Sequence, residues 1–450
     1  MGPAFDIIYL FLLVLCSPIL MYRAIRLGKY RDGFVEKVLG RSPRRIGDRP
    51  CVWFHAVSVG EVLLLKPIVA ELTRRGPDRD IVISTTTPTG LSVARRTYPD
   101  IVTFYAPLDL SWAVRRAIAR IRPTVLALVE LEVWPNLVRE AKRNGVGVLI
   151  INGRLSARSH RGYRRLRGPL GPTFKRLDAV AAQTPEYAAR FVDLGVPADR
   201  VRVTGSVKFD NLEADRENPI TLSLQDELGL SENQTIFVAG STMEGEEEAA
   251  YSAYLAARRE YPELRLILVP RHPERCDRIA AMIEKRGGRV VRRSGGPIDA
   301  QSLSSTNPPV ILIDTVGELS AIWGLARIAF VGGSLFPGRG GQNMMEPAAY
   351  GASVIFGPHT TNFRRPAEQL LERRGARCVK NERELTAALL DDLRDPESID
   401  RRGQAARTFV TAQRGAAART LAEIDRLLDN GRSDGRQANR PDRDKVLEHN

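Results

Sequence analysis

From Cys51 onward, short apolar runs alternate with longer amphipathic stretches, and this alternation is the strongest constraint on the fold. Candidate strands lie at 51–55, 81–85, 101–105, 124–129 and 147–151, with two further short ones at 178–182 and 200–204. Helix-like segments such as 62–75, 90–97, 111–121 and 136–144 fall between them. Strands that alternate with helices in this way predict a parallel sheet covered on both faces. A second series follows at 235–240, 264–269, 288–291, 310–313, 327–331 and 353–356. The intervening stretch 211–232 is polar and weakly periodic, as an interdomain linker would be.

A chain of 450 residues exceeds what one core usually organises. The expected fold class is therefore α/β, with two doubly wound, Rossmann-like domains at 45–212 and 233–428 facing across a cleft. Ligands in such sheets bind beyond the carboxyl ends of the strands. The stretch 429–450 has no apolar residues in helical register, so a disordered tail is expected there.

The segment HAVSVGE (55–61) joins the first candidate strand to the helix-like stretch that begins at Val62. Small residues at Ala56, Ser58 and Gly60 leave room for a ligand to approach the backbone. Glu61, at the helix start, has two open readings: it complements the helix dipole, or it accepts a proton from a substrate hydroxyl as a general base. At a helix start its ionised form is expected to be favoured, which makes it charged at pH 7 and a weaker base.

Residues 7–21 (IIYLFLLVLCSPILM) form an apolar run without a charge, slightly short for a comfortable bilayer span. Asp6 precedes it, and Arg23, Arg26, Lys29 and Arg31 follow. A signal peptide would carry its positive charges before the run. The expectation is an N-terminal membrane anchor with a basic flank at 1–30, in the inner membrane with the domains on the cytoplasmic side. A buried core helix is the alternative.

The formal net charge of +14 suggests anionic partners, including an anionic membrane surface. Basic clusters lie at 41–49, 158–167 and 364–377. A membrane-tethered nucleic-acid-binding protein is a distant alternative. Aromatic residues make up only 6% of the chain and no DNA- or RNA-reading motif is present, so no nucleic-acid partner is expected. The four cysteines show no CxxC spacing and the five histidines no HExxH spacing. Neither a metal nor a cofactor is therefore expected.

In the second series, four loops with unusual residues follow strands. The loop at 240–247 (GSTMEGEE) precedes a helix, where backbone N–H groups can form an anion site. Arg271, His272 and Arg275 follow the strand at 264–269 and can clamp a phosphate or carboxylate. The other two are 314–319 and the glycine-dense 332–347, where Glu346 can bind ribose hydroxyls. Together they indicate a nucleotide-sized ligand. Neither GxxxxGK[ST] nor a GxGxxG opening a first βαβ unit is present, which excludes a P-loop NTPase and argues against a dinucleotide enzyme.

These segments resemble the 3-deoxy-D-manno-oct-2-ulosonic acid (Kdo) transferases, lipid A glycosyltransferases of GT-B type. The resemblance runs from the expected N-terminal anchor to about residue 425. It rests on HAVSVGE (55–61), TTTPTG (85–90), ELEVWPN (130–136), NGRLSARS (152–159), VTGSVKFD (203–210), STMEGEE (241–247), LVPRHPER (268–275), DTVGEL (314–319), FVGGSL (330–335) and GPHTTNF (357–363). It implies inverting transfer of Kdo from CMP-Kdo to a lipid A precursor, lipid IVA. Glu61 would be the general base, and Glu130 and Lys208 would assist at the transition state. CMP would contact Pro270, Arg271, Val316, Gly317, Glu318, Asn343, Met344, Met345 and Glu346. The chain departs from the family pattern at two places: Met243 stands where the family usually has His, and GGQNMMEP (340–347) stands where it usually has GGHNPLEP, so Gln342 also replaces a His. Another GT-B transferase or a nucleotide-sugar epimerase using a UDP donor is the alternative within enzymes.

Overall fold

The computed structural model describes residues 2–27, 32–76 and 78–438, which divide into two compact units. The first comprises the chain up to Asn211 together with residues from Arg414 onward, and the second runs from Leu212 to Gln413.

The first unit is built on a seven-stranded parallel sheet of β1 (Cys51–His55), β2 (Asp80–Thr85), β3 (Val102–Tyr105), β4 (Val125–Val129), β5 (Gly147–Gly153), β6 (Ala179–Ala182) and β7 (Val201–Val203). Its order is β3-β2-β1-β4-β5-β6-β7. Alternate residues of β1 enter different cores. Val52 and Phe54 pack with Leu64, Ile68 and Leu72, whereas Cys51 and Trp53 pack with Val114, Ile118 and Val138. Both faces are covered, which is why the strand reads as a continuous apolar run.

The second unit repeats the architecture with β8 (Thr235–Thr242), β9 (Leu264–Pro270), β10 (Val290–Arg292), β11 (Val310–Leu312), β12 (Ile328–Val331), β13 (Ser353–Phe356) and β14 (Ala376–Cys378). Its order is β10-β11-β9-β8-β12-β13-β14, again all parallel. Two doubly wound sheets thus match the expectation, with strand ends shifted by a residue or two. β14 was not expected, because Ala-Arg-Cys carries no apolar run.

Two features differ from the sequence reading. The helix Ala416–Ala438 continues past residue 429, so the start of the supposed tail is helical backbone, while 439–450 lie outside the described residues. That helix also belongs to the first unit, not the second: Leu421, Ile424 and Leu428 pack with Val52 and Phe54. Periodicity shows that a helix has an apolar face; it does not say which sheet that face covers. The expected linker likewise contains a helix, Pro219–Glu227, within the second unit.

The apolar run 7–21 lies on helix α1 (Gly2–Leu27). Among the described residues no helix is long and apolar enough to cross a membrane, so the expected transmembrane helix gains no support. Lys29 and Arg31 of the expected basic flank lie outside the described residues. Asp6 is buried and acts as an internal acceptor. It receives the Ser111 N–H at 2.9 Å, the Ser111 hydroxyl at 2.5 Å and Asn136 Nδ2 at 3.0 Å. Tyr9 donates to Asp109, which also caps the helix Pro135–Arg143 through the Asn136 and Leu137 N–H groups. Burial pushes the Asp109 carboxyl up to about 6. Beyond this network, Ile7, Phe11, Val14, Leu15, Ile19 and Met21 are exposed.

Asp210 closes the first unit by accepting the Gly415 N–H at 2.6 Å and the Ala417 N–H at 2.7 Å, at the start of the C-terminal helix. Asp210→Ala is expected to cost about 1–3 kcal/mol, as loss of a helix cap and two hydrogen bonds. Thermal unfolding should show a midpoint lower by several degrees; an unchanged midpoint would mean that apolar burial alone holds the helix.

Candidate active site

In the first sheet the strand order reverses between β1 and β4, so their carboxyl ends lie side by side. Such a reversal opens a crevice for ligands. Glu61 follows β1 and Glu130 follows β4, which puts both at this point of the fold. Ser58 caps the helix Val59–Leu64, accepting the Glu61 N–H at 3.3 Å. In return the Glu61 carboxylate accepts the Ser58 hydroxyl and the Val57 N–H, each at 2.8 Å. This reciprocal cap fixes the side chain without using all the lone pairs of its oxygens.

The neighbouring TTTPTG segment holds the loop from the other side. The Thr85 and Thr86 hydroxyls donate to the Val57 carbonyl, and Thr87 caps the helix Pro88–Thr97. At Gly90 a Cβ would stand 2.5 Å from Thr85 Oγ1 and 2.7 Å from Thr87 Oγ1, so any larger residue would have to displace those hydroxyls. At Gly60, by contrast, the nearest atom to an added Cβ is Ser58 Oγ at 4.0 Å, which leaves the open space expected of a ligand loop. His55 is the last residue of β1, buried against the Ser84 hydroxyl, and burial pushes its imidazole down to about 4. It is a neutral packing residue.

Burial raises the Glu61 carboxyl above the usual glutamate range, and the negative charge of Glu130 adds to this. The Val57 and Ser58 hydrogen bonds and the charge of Lys208 oppose the rise. The direction is opposite to that expected from a helix start: desolvation is the leading cause, and Glu61 is a stronger base than an exposed glutamate. Lys208 Nζ lies 3.3 Å from Glu130 Oε1, with the lysine side chain 56% exposed and the glutamate 25%. The three residues singled out in this domain are thus brought together.

A carboxylate of the site was missed. Glu132, in the same ELEVWPN segment, accepts the Trp134 indole N–H at 3.0 Å. Burial, then the charges of Glu61 and Glu130, push its carboxyl up to about 7. The available signal was a second glutamate two residues beyond a strand-end glutamate. Backbone strain marks the same place: Glu130 and Asn152 are non-glycine residues in the left-handed region, at φ 56° and 51°. Each such residue costs on the order of 1–3 kcal/mol, and strain of this kind clusters at functional sites.

In the second sheet the order reverses between β8 and β12. Here the loop expected to bind an anion is filled by the chain itself. Glu246, fully buried, accepts the N–H groups of Met243, Gly333, Ser334 and Leu335 at 2.6–2.9 Å. The carboxylate ties the loop after β8 to the loop after β12. Glu247 and Arg275 form a buried bidentate pair at 2.7 and 3.0 Å, which fixes the turn that follows Pro270 and Arg271.

Arg271 is exposed beyond β9 and close enough for its charge to lower the Glu346 carboxyl, which burial otherwise raises. Asn343 Nδ2 donates to Glu346 at 2.9 Å. Val316 is 86% exposed and Gly317 has φ 103°. Glu318 is engaged internally by Arg293 at 3.2 Å and by the Thr315 hydroxyl. Met344 and Met345 are buried, so a ligand at this loop would meet their backbone rather than their side chains.

The sequence profile of a family described as 3-deoxy-D-manno-octulosonic-acid transferase (kdotransferase) matches residues 26–211. The chain is 33% identical over 429 residues to a 3-deoxy-D-manno-octulosonic acid transferase of Haemophilus influenzae, covering 94% of this chain and 98% of that protein. It is 34% identical to the protein of that name from Bordetella pertussis, over 90% and 94% of the two chains. Among solved structures, the fold is similar to UDP-GlcNAc 2-epimerase from Neisseria meningitidis bound to UDP-GlcNAc. That match has a TM-score of 0.57 at 13% identity, over 84% of this chain and 100% of the other. A glycosyltransferase from Rickettsia africae is similar at a TM-score of 0.54 and 13% identity, over 85% and 100%. At such identities the likeness shows the fold alone, two parallel-sheet units of the GT-B kind.

Because the Glu132 carboxyl is raised on folding, the native state holds its proton as pH climbs from about 4.5 to about 7, and stability falls across that window. Glu132→Gln, neutral throughout, should raise the unfolding midpoint at pH 8 and leave it near wild type at pH 4.5. Equal shifts at both pH values would show that the carboxyl is not raised.

Proposed function

The chain belongs to the 3-deoxy-D-manno-octulosonic acid (Kdo) transferase family, and from that premise we propose that it is an inverting glycosyltransferase moving Kdo from CMP-Kdo to lipid IVA or a related lipid A precursor, in the biosynthesis of the lipopolysaccharide core. The observation that carries the reading is the placing of Glu61, Glu130 and Lys208 beside the reversal point of the first sheet. Glu61, held by Val57 and Ser58 and raised by burial, takes the proton of the acceptor hydroxyl as that oxygen attacks the anomeric carbon. CMP leaves from the opposite face in a single displacement. Lys208, paired with Glu130 yet more than half exposed, supplies positive charge to the Kdo carboxylate or the departing phosphate.

In the second unit the donor nucleotide is assigned to the loops after β9, β11 and β12: Pro270 and Arg271, Val316 to Glu318, and Asn343 to Glu346. Arg271 meets the phosphate and Glu346 the ribose. Glu346, partly shielded and hydrogen-bonded by Asn343, has the character of a hydroxyl acceptor. Met243 and Gln342 remove the imidazoles usual in the family. Gln342 retains donor capacity there and Met243 does not.

The acceptor is a membrane lipid, and helix α1 gives the chain a way to reach it. Its exposed Ile7, Phe11, Val14, Leu15, Ile19 and Met21 would enter the interfacial region of the inner membrane from the cytoplasmic side, with Arg26 toward anionic headgroups. Asp6 and Tyr9 would keep that face in fixed relation to the first domain.

Glu61→Gln preserves the shape of the side chain but removes its basicity. It should fold with an unfolding midpoint near wild type and lose roughly 10²–10⁴-fold in turnover; near-normal turnover would remove Glu61 from the chemistry. CMP should raise the unfolding midpoint and UDP should not. Stabilisation by UDP alone would favour a UDP-sugar enzyme of the same fold.

A further inference from the structure

Asn152 lies at a fault in the first sheet. The pairing of β5 with β6 shifts register between Ile150 and Gly153, and Asn152 occupies that bulge in a left-handed conformation. Bulges beside active sites turn a side chain out of its ordinary alternation. Here the turned side chain is fully buried. Its Oδ1 accepts the Val207 N–H at 3.0 Å, whereas its Nδ2 is buried with no hydrogen-bond partner among the described residues. Glycine would suit the backbone without strain, and an apolar residue would bury no unsatisfied donor. The one thing this asparagine supplies is an acceptor for Val207.

Val207 opens the short turn Val207–Phe209 that carries Lys208. The Val207 side chain is locked in the core and Asp210 is held by the C-terminal helix, which leaves Lys208 as the exposed member of the turn. A closed ring of contacts results. The Glu130 N–H donates to the Ile151 carbonyl at 2.9 Å, the adjacent Asn152 accepts from Val207, and the adjacent Lys208 returns to Glu130 at 3.3 Å. The Asn152 carbonyl accepts Gln183 Nε2 at 2.9 Å, tying the bulge to the end of β6.

We propose that Asn152 is a positioning residue for the transfer reaction: through the Val207 N–H it sets where the Lys208 ammonium stands against Glu130. The inference rests on the reading of Lys208 as a group that assists at the transition state. It predicts that the effect of Asn152 on turnover passes through Lys208 and vanishes when the ammonium is absent.

A double-mutant cycle on the full chain tests this, with CMP-Kdo and lipid IVA as substrates and thermal unfolding read alongside. Asn152→Gly keeps the left-handed backbone and deletes the acceptor; it should lower kcat roughly 10–100-fold, the effect of a displaced catalytic group. In a Lys208→Met background the same substitution should cost less than about twofold, because coupled residues are not additive. Asn152→Asp retains an acceptor for Val207 and should turn over faster than Asn152→Gly; if the glycine variant does not fold, Asn152→Ala, which likewise lacks the acceptor, takes its place in the cycle. Equal losses in both backgrounds, or a glycine variant faster than the aspartate, would overturn the inference. Wild-type turnover in Asn152→Gly with Lys208→Met impaired would overturn it alone. Wild-type turnover in Lys208→Met would overturn the reading of Lys208 on which it stands.

Discussion

The reversal of strand order between β1 and β4 is the constraint on which the first unit depends. A parallel sheet whose helices lie on both faces leaves its strand ends without cover at one place, where successive connections diverge. Everything assigned to the reaction on this unit hangs from that place: the β1 loop carries Glu61, the β4 loop carries Glu130, and the bulged end of β5 holds the turn bearing Lys208. Concentrating carboxylates there has an electrostatic consequence. Glu61 and Glu132 are both raised, chiefly by burial, with the negative charge of Glu130 adding to both and that of Glu61 adding to Glu132. A site that presents a base at neutral pH is thus made from glutamates without a histidine, and His55 is left to packing.

The second unit uses the same reversal differently. Its own carboxylate, Glu246, occupies the N–H groups that the small-residue loops present, so those groups shape the loops instead of meeting a ligand. In the function proposed above, anion recognition falls to side chains further along the sheet, Arg271 above all. Arg271 lies close enough to Glu346 for its charge to lower that carboxyl, which burial otherwise raises.

Much of the fold was legible in the sequence, because fully covered parallel strands must be apolar at every position, and Val52 to Phe54 or Leu264 to Val269 announce themselves. β14 escaped because three residues with a central arginine carry no such pattern. The C-terminal helix was divided between the second domain and a tail, because its allegiance depends on Asp210 and on apolar residues hundreds of positions away. Asp6 looked like a charge set before an apolar run and is a buried acceptor for Ser111 and Asn136, a role visible only once distant segments meet. At the site, residue types and positions could be read, but not the sign of the Glu61 shift. The helix dipole can be inferred from local sequence, whereas desolvation is a property of the folded surroundings. Glu132 and Asn152 went unnoticed for the same reason: their meaning comes from burial and from a backbone bulge, neither of which a residue name carries.

The most direct measurement is the mass of the lipid product after purified protein is incubated with CMP-Kdo and lipid IVA in detergent micelles, with the anomeric configuration of the new linkage read by NMR. An acceptor heavier by one or more Kdo residues, joined with inversion and with CMP released in equal amount, is the predicted result. An acceptor of unchanged mass beside intact CMP-Kdo, or a linkage formed with retention, would contradict the account.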